Sequence, residues 1–355
     1  MAVDLYKPRF MLQMMEQMPP LRTLLLDTFF KQKKTFPTEQ VDFDVKKGGM
    51  AMAPFVSPRI GSSVLDRQGY KTFSYKPPLV APKRVMTTDD LDTRLPGEAL
   101  YSGYNPDQRK AALLQDDLKE LDDAITRREE WMAAMALFNG EIPVVGEGVD
   151  DVISFEFDNQ IVVDAGKVWS DYVNSRPLDD LNGAADRVAR SGYSANIAIG
   201  DSASIRALVR NQEVQKLLDI KNYQMGLIEP KVLANGATYF GFLPECNLHI
   251  YAYSAFYADN DNENPDFPGV KPGDKGFVPK VYPLIPNGKV FVGPTQLPAK
   301  MLYGVIKDIQ IGSHMRARVP KQWDQQEPSE RYLKISSRPL PCPMDLDAWA
   351  TLDVL

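Results

Sequence analysis

The chain of 355 residues is long enough for about two domains, and its 44% hydrophobic and 25% charged residues exclude a chain that is disordered throughout. Its formal net charge of −6 argues against a dedicated nucleic-acid-binding protein, which would need an excess of lysine and arginine. Neither a secretory signal nor a membrane-spanning segment is predicted, and the widely separated Cys246 and Cys342 favour buried, reduced thiols over a disulfide.

Residues 1–40 are predicted to form an arm that contains one short helix. Residues 11–18 are rich in methionine, and the apolar run 21–30 precedes a cluster of lysines. An arm of this composition would be adhesive if it were exposed, so it should pack on protein. The sequence leaves open whether the arm packs on a neighbouring subunit or on its own core.

Residues 41–104 are predicted to form an extended, two-stranded loop. Residues 41–45 alternate apolar and acidic side chains, a turn is predicted at 46–49, and residues 70–75 alternate again. Prolines oppose a compact central sheet here and favour edge strands; they lie at positions 54, 58, 77, 78, 82 and 96. Because an isolated two-stranded ribbon is only marginally stable in water, we expect it to lie on another subunit. An irregular N-terminal lobe is the alternative.

One long helix is predicted over residues 106–138, roughly 33 residues or about 50 Å. Asn105 can cap its first turn, Pro106 suits the first helical position, and Asn139-Gly140 provides a stop. Its apolar stripe consists of Leu114, Leu118, Leu121, Ile125, Met132 and Met135, and Arg128 interrupts it. The predicted solvent-exposed face carries Asp116, Asp117, Glu120, Asp122 and Asp123, with Lys119 and Arg127 available for pairing along the helix.

Such a helix is typical of a coiled coil or bundle, but beside extended sequence it favours a spine on which a flat, assembling subunit is built. A hairpin is predicted next, with strands at 152–157 and 160–163 around the turn Asp158-Asn159. A compact α/β domain over 178–305 is predicted from helices at 178–190, 202–209 (capped by Asp201) and 211–218 and strands at 194–199, 238–243, 248–253 and 289–292. Strands at 331–336 and 348–354 are predicted to return to the long helix.

Motifs for catalysis or cofactor binding are absent from the sequence: it contains no HExxH, CxxC, GxSxG or P-loop pattern. His249 lies in an alternating run and is predicted to face solvent on a strand, and residues 146–148 are predicted to form a turn. The acidic run 259–264 resembles a calcium loop but has Asn264 and Val270 where that loop needs glycine and glutamate. We therefore predict no catalytic, cofactor-binding or metal-binding residues, no cofactor and no enzymatic activity.

Several segments, in order, resemble the E family of tailed-phage major capsid proteins, typified by phage lambda. They are residues 52–65 (MAPFVSPRIGSSVL), 75–83 (YKPPLVAPK), 93–98 (TRLPGE), 127–130 (RREE), 317–323 (ARVPKQW), 338–341 (RPLP) and 347–352 (DAWATL). No single segment is diagnostic; their order and spacing carry the resemblance, which is strongest over 50–140 and 315–355. The proline-rich stretch 257–288 is where departure from the family is expected, as a surface-exposed insertion specific to a partner or host.

The resemblance implies an α+β protein of the HK97-like fold. By it, residues 1–40 are the N-terminal arm, 41–104 the extended E-loop, 105–172 a peripheral domain with the spine helix 106–138, 173–305 an axial domain, and 306–355 a return to the peripheral domain.

The function implied is structural. Copies of the chain would form hexamers and pentamers of an icosahedral phage head around double-stranded DNA, which is enclosed without sequence-specific binding. Scaffold, portal and sometimes decoration proteins are the expected partners, with no membrane; the virion is the expected location, after assembly in the cytoplasm of a host bacterium. An encapsulin-like shell of the same fold, or a binding protein that does not assemble, are the alternatives.

Overall fold

The computed structural model describes residues 8–18, 21, 23–46, 52, 53, 55, 57, 69–92, 106–146, 148–215, 231–233, 236–259, 279–327 and 329–355. Some predictions lie outside the described residues: the Asn105 cap, the turn residues 47–49, most of 52–65, all of 93–98, the helix end at 216–218 and residues 260–264 of the acidic run.

The described residues form helices and strands in alternating groups. The helices are α1 (Pro8–Gln17), α2 (Leu25–Thr28), α3 (Thr88–Asp92), α4 (Pro106–Phe138), α5 (Pro177–Arg190) and α6 (Ser202–Arg210). The first strands are β1 (Gln32–Thr35), β2 (Val41–Lys46), β3 (Tyr70–Tyr75), β4 (Lys83–Met86), β5 (Glu141–Gly146), β6 (Val149–Ser154) and β7 (Gln160–Val162). The others are β8 (Ile197–Gly200), β9 (Lys231–Val232), β10 (Ala237–Leu243), β11 (Leu248–Tyr253), β12 (Phe256–Asp259), β13 (Lys280–Pro283), β14 (Lys289–Gly293), β15 (Ala299–Tyr303), β16 (Ile306–Asp308), β17 (Gly312–His314), β18 (Val319–Gln325), β19 (Glu330–Ser336), β20 (Pro339–Pro343) and β21 (Ala350–Asp353).

Helix α4 has 33 residues and occupies the span that the sequence predicts. Its predicted apolar stripe is buried except at Met135, which is half-buried, and Arg128 is exposed. From Met132 to Phe138 the helix is buried on nearly every side, because α2 and strands β5, β14 and β20 surround its C-terminal turns. The C-terminal end of α4 is therefore enclosed by the rest of the protein, whereas its N-terminal part is only half covered.

The described part of the arm packs on its own subunit, which is one of the two alternatives that the sequence leaves open. Met11 of α1 is fully buried and clusters with Leu114 and Leu118 of α4 and with Ile335 of β19. Strands β18, β19 and β4 form a three-stranded antiparallel sheet, and α1 contacts both β18 and α4. After α2, strand β1 pairs in parallel with β15 and so extends the arm along the body.

The E-loop begins as the antiparallel ribbon β2–β3, in which Val41 pairs with Tyr75 and Phe43 with Phe73. These side chains share one face, and Phe155 packs its ring within 6.2 Å of Phe43, measured between ring centroids. An aromatic cluster fastens the base of the ribbon to its own subunit, and the expectation that the ribbon lies on another subunit stays a prediction.

The predicted hairpin at 152–163 is wrong by one strand. The hairpin in the structure is β5–β6, with Ile142 opposite Ile153, and its turn lies at the predicted position 146–148, where Gly148 has a φ of +75°. The alternating pattern of residues 141–146 is broken by Pro143, so the sequence did not indicate a strand here; an edge position tolerates proline. Strand β7 pairs with β21 instead.

A seven-stranded sheet in the order β7-β21-β14-β8-β11-β10-β9 forms the second body of the molecule. Helices α5 and α6 occupy the predicted spans to within a residue or two, and the Asp201 carboxylate accepts hydrogen bonds from the backbone N–H groups of Ala203 and Ser204, as the predicted cap requires. Strand β19 returns to α4 as predicted. The predicted strand at 348–354 contacts α4 through Trp349, but β21 itself pairs with β14 and β7 in this sheet, where three of its four residues are buried.

Candidate functional site

Arg318, which immediately precedes β18, binds the spine helix through a largely buried cluster of charges. Its guanidinium Nη1 and Nη2 donate to the two carboxylate oxygens of Glu129 at 2.6 and 3.1 Å, and its Nε donates to Asp122 Oδ1 at 2.6 Å. The hydroxyls of Thr126 and Ser337 accept further hydrogen bonds at 3.2 Å. This two-point pairing fixes the orientation of the C-terminal segment against α4.

Glu130, the next residue along the spine, holds the arm and the large sheet together. The backbone N–H groups of Leu24 and Leu25 donate to its Oε1 at 3.0 and 2.8 Å, and Leu26 N–H donates to its Oε2 at 2.9 Å. The Tyr253 hydroxyl on β11 donates to the same Oε1 at 2.9 Å. The Glu130 carboxylate therefore accepts hydrogen bonds from the first N–H groups of α2 and from Tyr253 of β11, and so holds both elements against α4.

Burial controls the protonation of this carboxyl group. Removal from water raises the pKa of Glu130 from 4.5 to about 7, although the four hydrogen bonds that it accepts act in the opposite direction. The same contact, together with burial, raises the pKa of the Tyr253 phenol far above its usual range. Protonation of Glu130 is consequently linked to the packing of the arm against α4.

Trp349 closes the far end of the spine. Its indole Nε1–H donates to the Leu137 carbonyl at 2.9 Å, and its ring stacks on Phe157 with 4.7 Å between centroids. The chain turns sharply at Gly140, whose φ is +71° and whose missing Cβ would lie 2.3 Å from Phe157 Cβ. Glycine is therefore required where the helix gives way to β5.

The sequence predicted that the acidic face of α4 is exposed to solvent. In the structure, two arginines cover parts of it. Arg84 of β4 pairs with Asp117 at 3.5 Å and also contacts Glu120, while Arg318 takes Asp122. Asp117 is half-buried, and burial raises its pKa. The predicted interaction of Arg127 with Asp123 is present along the helix, whereas Asp117, Glu120 and Asp122 pair with arginines distant in the sequence.

Segments 127–130, 317–323 and 347–352, each of which contributed to the resemblance, thus meet on one helix. A comparison with protein families decides what this means: the family profile described as Phage major capsid protein E matches residues 8–354. The chain belongs to this family.

Members of the Phage major capsid protein E family resemble the chain along its whole length. The major capsid protein of Escherichia phage lambda is 26% identical over 363 residues, covering 99% of this chain and 100% of the relative. The major capsid protein of Enterobacteria phage P21 is 27% identical with the same coverage. The resemblance recognised in the sequence is confirmed.

Solved structures agree on the fold. A crystal structure assigned to a prophage capsid protein of E. coli CFT073 aligns with a TM-score of 0.69 at 21% identity, covering all of both chains. The capsid of cyanophage P-SCSP1u aligns with a TM-score of 0.51 at 9% identity, covering 95% of this chain and 89% of that one. The protein therefore has the α+β, HK97-like fold that the sequence predicts.

The structure places the histidine and the two cysteines considered in the sequence. His249 is exposed on β11, as predicted, and its Nδ1 lies 3.0 Å from the Tyr239 hydroxyl. Cys246 and Cys342 are buried free thiols, and burial raises the pKa of Cys246 to about 11. Over the described ranges, no three or more His, Cys, Asp or Glu side chains are grouped to hold a metal ion, and no helix there is long and apolar enough to span a membrane.

Sequence reasoning identified 127–130 and 317–323 as family segments but did not pair them. A signal was available, because Glu129 follows Ile125 by four residues and so falls on the apolar stripe of the helix. A carboxylate at a stripe position requires a buried cation or hydrogen-bond donors. The sequence does not reveal that Arg318 supplies the cation.

Proposed function

We propose that this protein is the major capsid, or head, protein of a tailed bacteriophage. Many copies form the hexamers and pentamers of an icosahedral shell that encloses double-stranded DNA. The observation that carries the proposal is membership of the capsid family over residues 8–354, together with a fold that aligns from end to end with capsid structures. No cofactor or catalytic residue is assigned, and the role is structural rather than enzymatic.

The contacts that Glu129 and Glu130 make from α4 suit this role, because a shell subunit must keep its shape under forces from neighbouring subunits. Glu129 and Glu130 tie the arm, the C-terminal segment and the large sheet to the spine, so force applied to any one of them reaches the same helix. The E-loop beyond its base and the arm beyond α1 remain the elements with which neighbours of different curvature can be contacted.

We also propose the domain division given by the resemblance, with one amendment. The arm is 1–40, the E-loop 41–104, the peripheral domain 105–172 continued by 306–355, and the axial domain 173–305. Because β7 and β21 pair within the seven-stranded sheet, these two strands are counted with the axial domain.

Scaffold and portal proteins, and in some phages a decoration protein, are the proposed assembly partners, and the virion is the proposed location after assembly in the bacterial cytoplasm. DNA would be enclosed without sequence-specific contacts, and a net charge of −6 is compatible with this because containment needs little attraction. We further propose that residues 257–288 are a surface insertion; its stem is the ribbon β12–β13. Deletion of residues 260–276 should leave assembly intact, and loss of capsomers in that variant would contradict this proposal.

An encapsulin-like shell is the second candidate, since it would share the fold but enclose a protein cargo. Negative-stain electron microscopy of the chain, expressed alone and with the neighbouring phage genes, tests the proposal. Shells, tubes or hexameric capsomers are the expected result, and packaged DNA in particles from infected cells separates a phage head from an encapsulin. A monodisperse monomer or dimer in both preparations would refute assembly.

A further inference from the structure

Both faces of the hairpin β5–β6 carry apolar side chains, but the protein buries only those of the inner face. Ile142 and Ile153 are paired across the strands and buried on the inner face. On the outer face, where a half-buried hairpin would normally carry polar side chains, Val145 is 72% and Val152 51% exposed, beside Pro143. Exposed valines at these register positions indicate a surface that another molecule covers.

The charges of this hairpin have a single sign. Between Glu141 and Ser154 the sequence contains acidic residues and no lysine, arginine or histidine. Glu141 and Asp150 share the outer face with the valines and are exposed. We call this outer face, composed of Glu141, Pro143, Val145, Asp150 and Val152, the acidic hairpin face. Two such faces would repel each other, so the partner is not the same face of a second copy.

A complementary surface lies elsewhere on the same chain, at the turn that joins β16 to β17. Ile309 is fully exposed at this turn. The turn is held rigidly, because the Asp308 carboxylate accepts the N–H groups of Gln310 and Ile311 at 2.8 and 3.3 Å and pairs with Lys321 at 2.7 Å. An aliphatic side chain on a preorganised turn loses little entropy on binding, as an interface anchor requires.

Basic and apolar side chains are exposed on the β16–β17 ribbon that carries Ile309 and directly after it. Met315 is 55% exposed, Arg316 beside it is exposed, and the Lys307 side chain is 61% exposed next to Glu39. We call Lys307, Ile309, Met315 and Arg316 the basic turn. The positive charges of the basic turn complement the negative charges of the acidic hairpin face, and Ile309 provides an apolar anchor for the exposed valines.

We propose that the acidic hairpin face of one copy binds the basic turn of the next copy. The contact joins different surfaces on the two copies and is therefore heterologous, so the growing assembly keeps one free acidic hairpin face and one free basic turn after every addition. Such a contact propagates into rings or lattices, whereas a contact between identical faces stops at a dimer. The inference rests on the proposed function and assigns the surfaces through which copies meet.

Disulfide trapping tests the contact directly. The variant Val145→Cys/Ile309→Cys carries one new thiol on each surface, and the native cysteines are buried. Assembled particles, oxidised and run on a non-reducing gel, should give a ladder of linked chains beyond the dimer. The matched control Val145→Cys/Val173→Cys uses an equally exposed valine outside the basic turn and should give no ladder. Particles of the first variant without a ladder, or with dimers alone, would overturn the proposal.

A charge exchange provides a second measurement that does not depend on new thiols. Asp150→Lys and Arg316→Glu should each lower particle yield about tenfold, the effect of roughly 1.4 kcal/mol, and the double variant should recover most of the loss. Asp186→Lys, a charge reversal at an exposed residue of α5, is the control and should assemble normally. Single variants that assemble like the wild type, or a double variant without recovery, would contradict the pairing. Failure of the wild type to assemble would instead count against the proposed function.

Discussion

Replacing Arg318 by methionine should destabilise the subunit severely. Methionine preserves much of the aliphatic stem but removes the guanidinium that pairs with Glu129 at 2.6 Å and with Asp122 at 2.6 Å. Glu129 is only 2% exposed, so its carboxylate would be left buried without its cation. Removing one partner of a buried pair costs about 3–5 kcal/mol, and the half-exposed Asp122 adds at most about 1 kcal/mol.

Urea denaturation of unassembled subunits, followed by tryptophan fluorescence, measures the free energy of unfolding of each variant. Arg176→Met is the matched control, because Arg176 pairs with Asp179 at 3.7 Å with both side chains 68% exposed. That variant should lose at most about 1 kcal/mol.

The double variant Arg318→Met/Glu129→Leu separates lost attraction from stranded charge. Removing both charges should restore at least half of the loss, since replacing a buried ion pair by apolar residues is often nearly neutral. A loss below about 1 kcal/mol in Arg318→Met, or a double variant no more stable than the single one, would refute the reasoning.

Two further predictions concern the spine. Because the pKa of Glu130 is raised to about 7, the folded chain binds a proton that the unfolded chain releases between pH 4.5 and 7, so the free energy of unfolding should fall as pH rises through this window, by at most about 3 kcal/mol. Glu130→Gln should flatten this dependence in urea titrations at about pH 5 and about pH 8, and an unchanged slope would assign it to other groups. Gly140→Ala should cost more than about 2 kcal/mol by the same titration, because φ is +71° and the new Cβ would meet Phe157. Gly183→Ala, inside α5 with nothing within 4 Å of its Cβ position, should gain about 0.5–1 kcal/mol; equal effects at the two glycines would be inconsistent with this account.

Elements whose signal lies within a short window were predictable from the sequence. The period of α4, the alternation of β2 and β3 and the Asp201 cap each depend on residues close together in the chain, and all three lie where predicted. The family resemblance added the fold, which no local pattern contains.

Apart from the missed local hairpin β5–β6, the errors concern partners distant in the sequence. Strand β7 pairs with β21, about 190 residues later, and neither segment indicates its partner by composition. The acidic face of α4 appeared solvated in isolation because Arg84 and Arg318 approach it only after the chain has folded. Arm packing was undecided for the same reason: its methionines fit any apolar surface, and Glu130 identifies the one on its own spine.

The place of β21 in the large sheet sets an order of events during synthesis. Its neighbours leave the ribosome well before it, yet β14 has no partner on one side and β7 has none in the sheet until residues 350–353 have been translated. A chain arrested before this point exposes two strand edges and lacks Trp349, which closes the spine. A chain that ends before residue 350 therefore lacks the strand that joins β7 to the rest of the seven-stranded sheet.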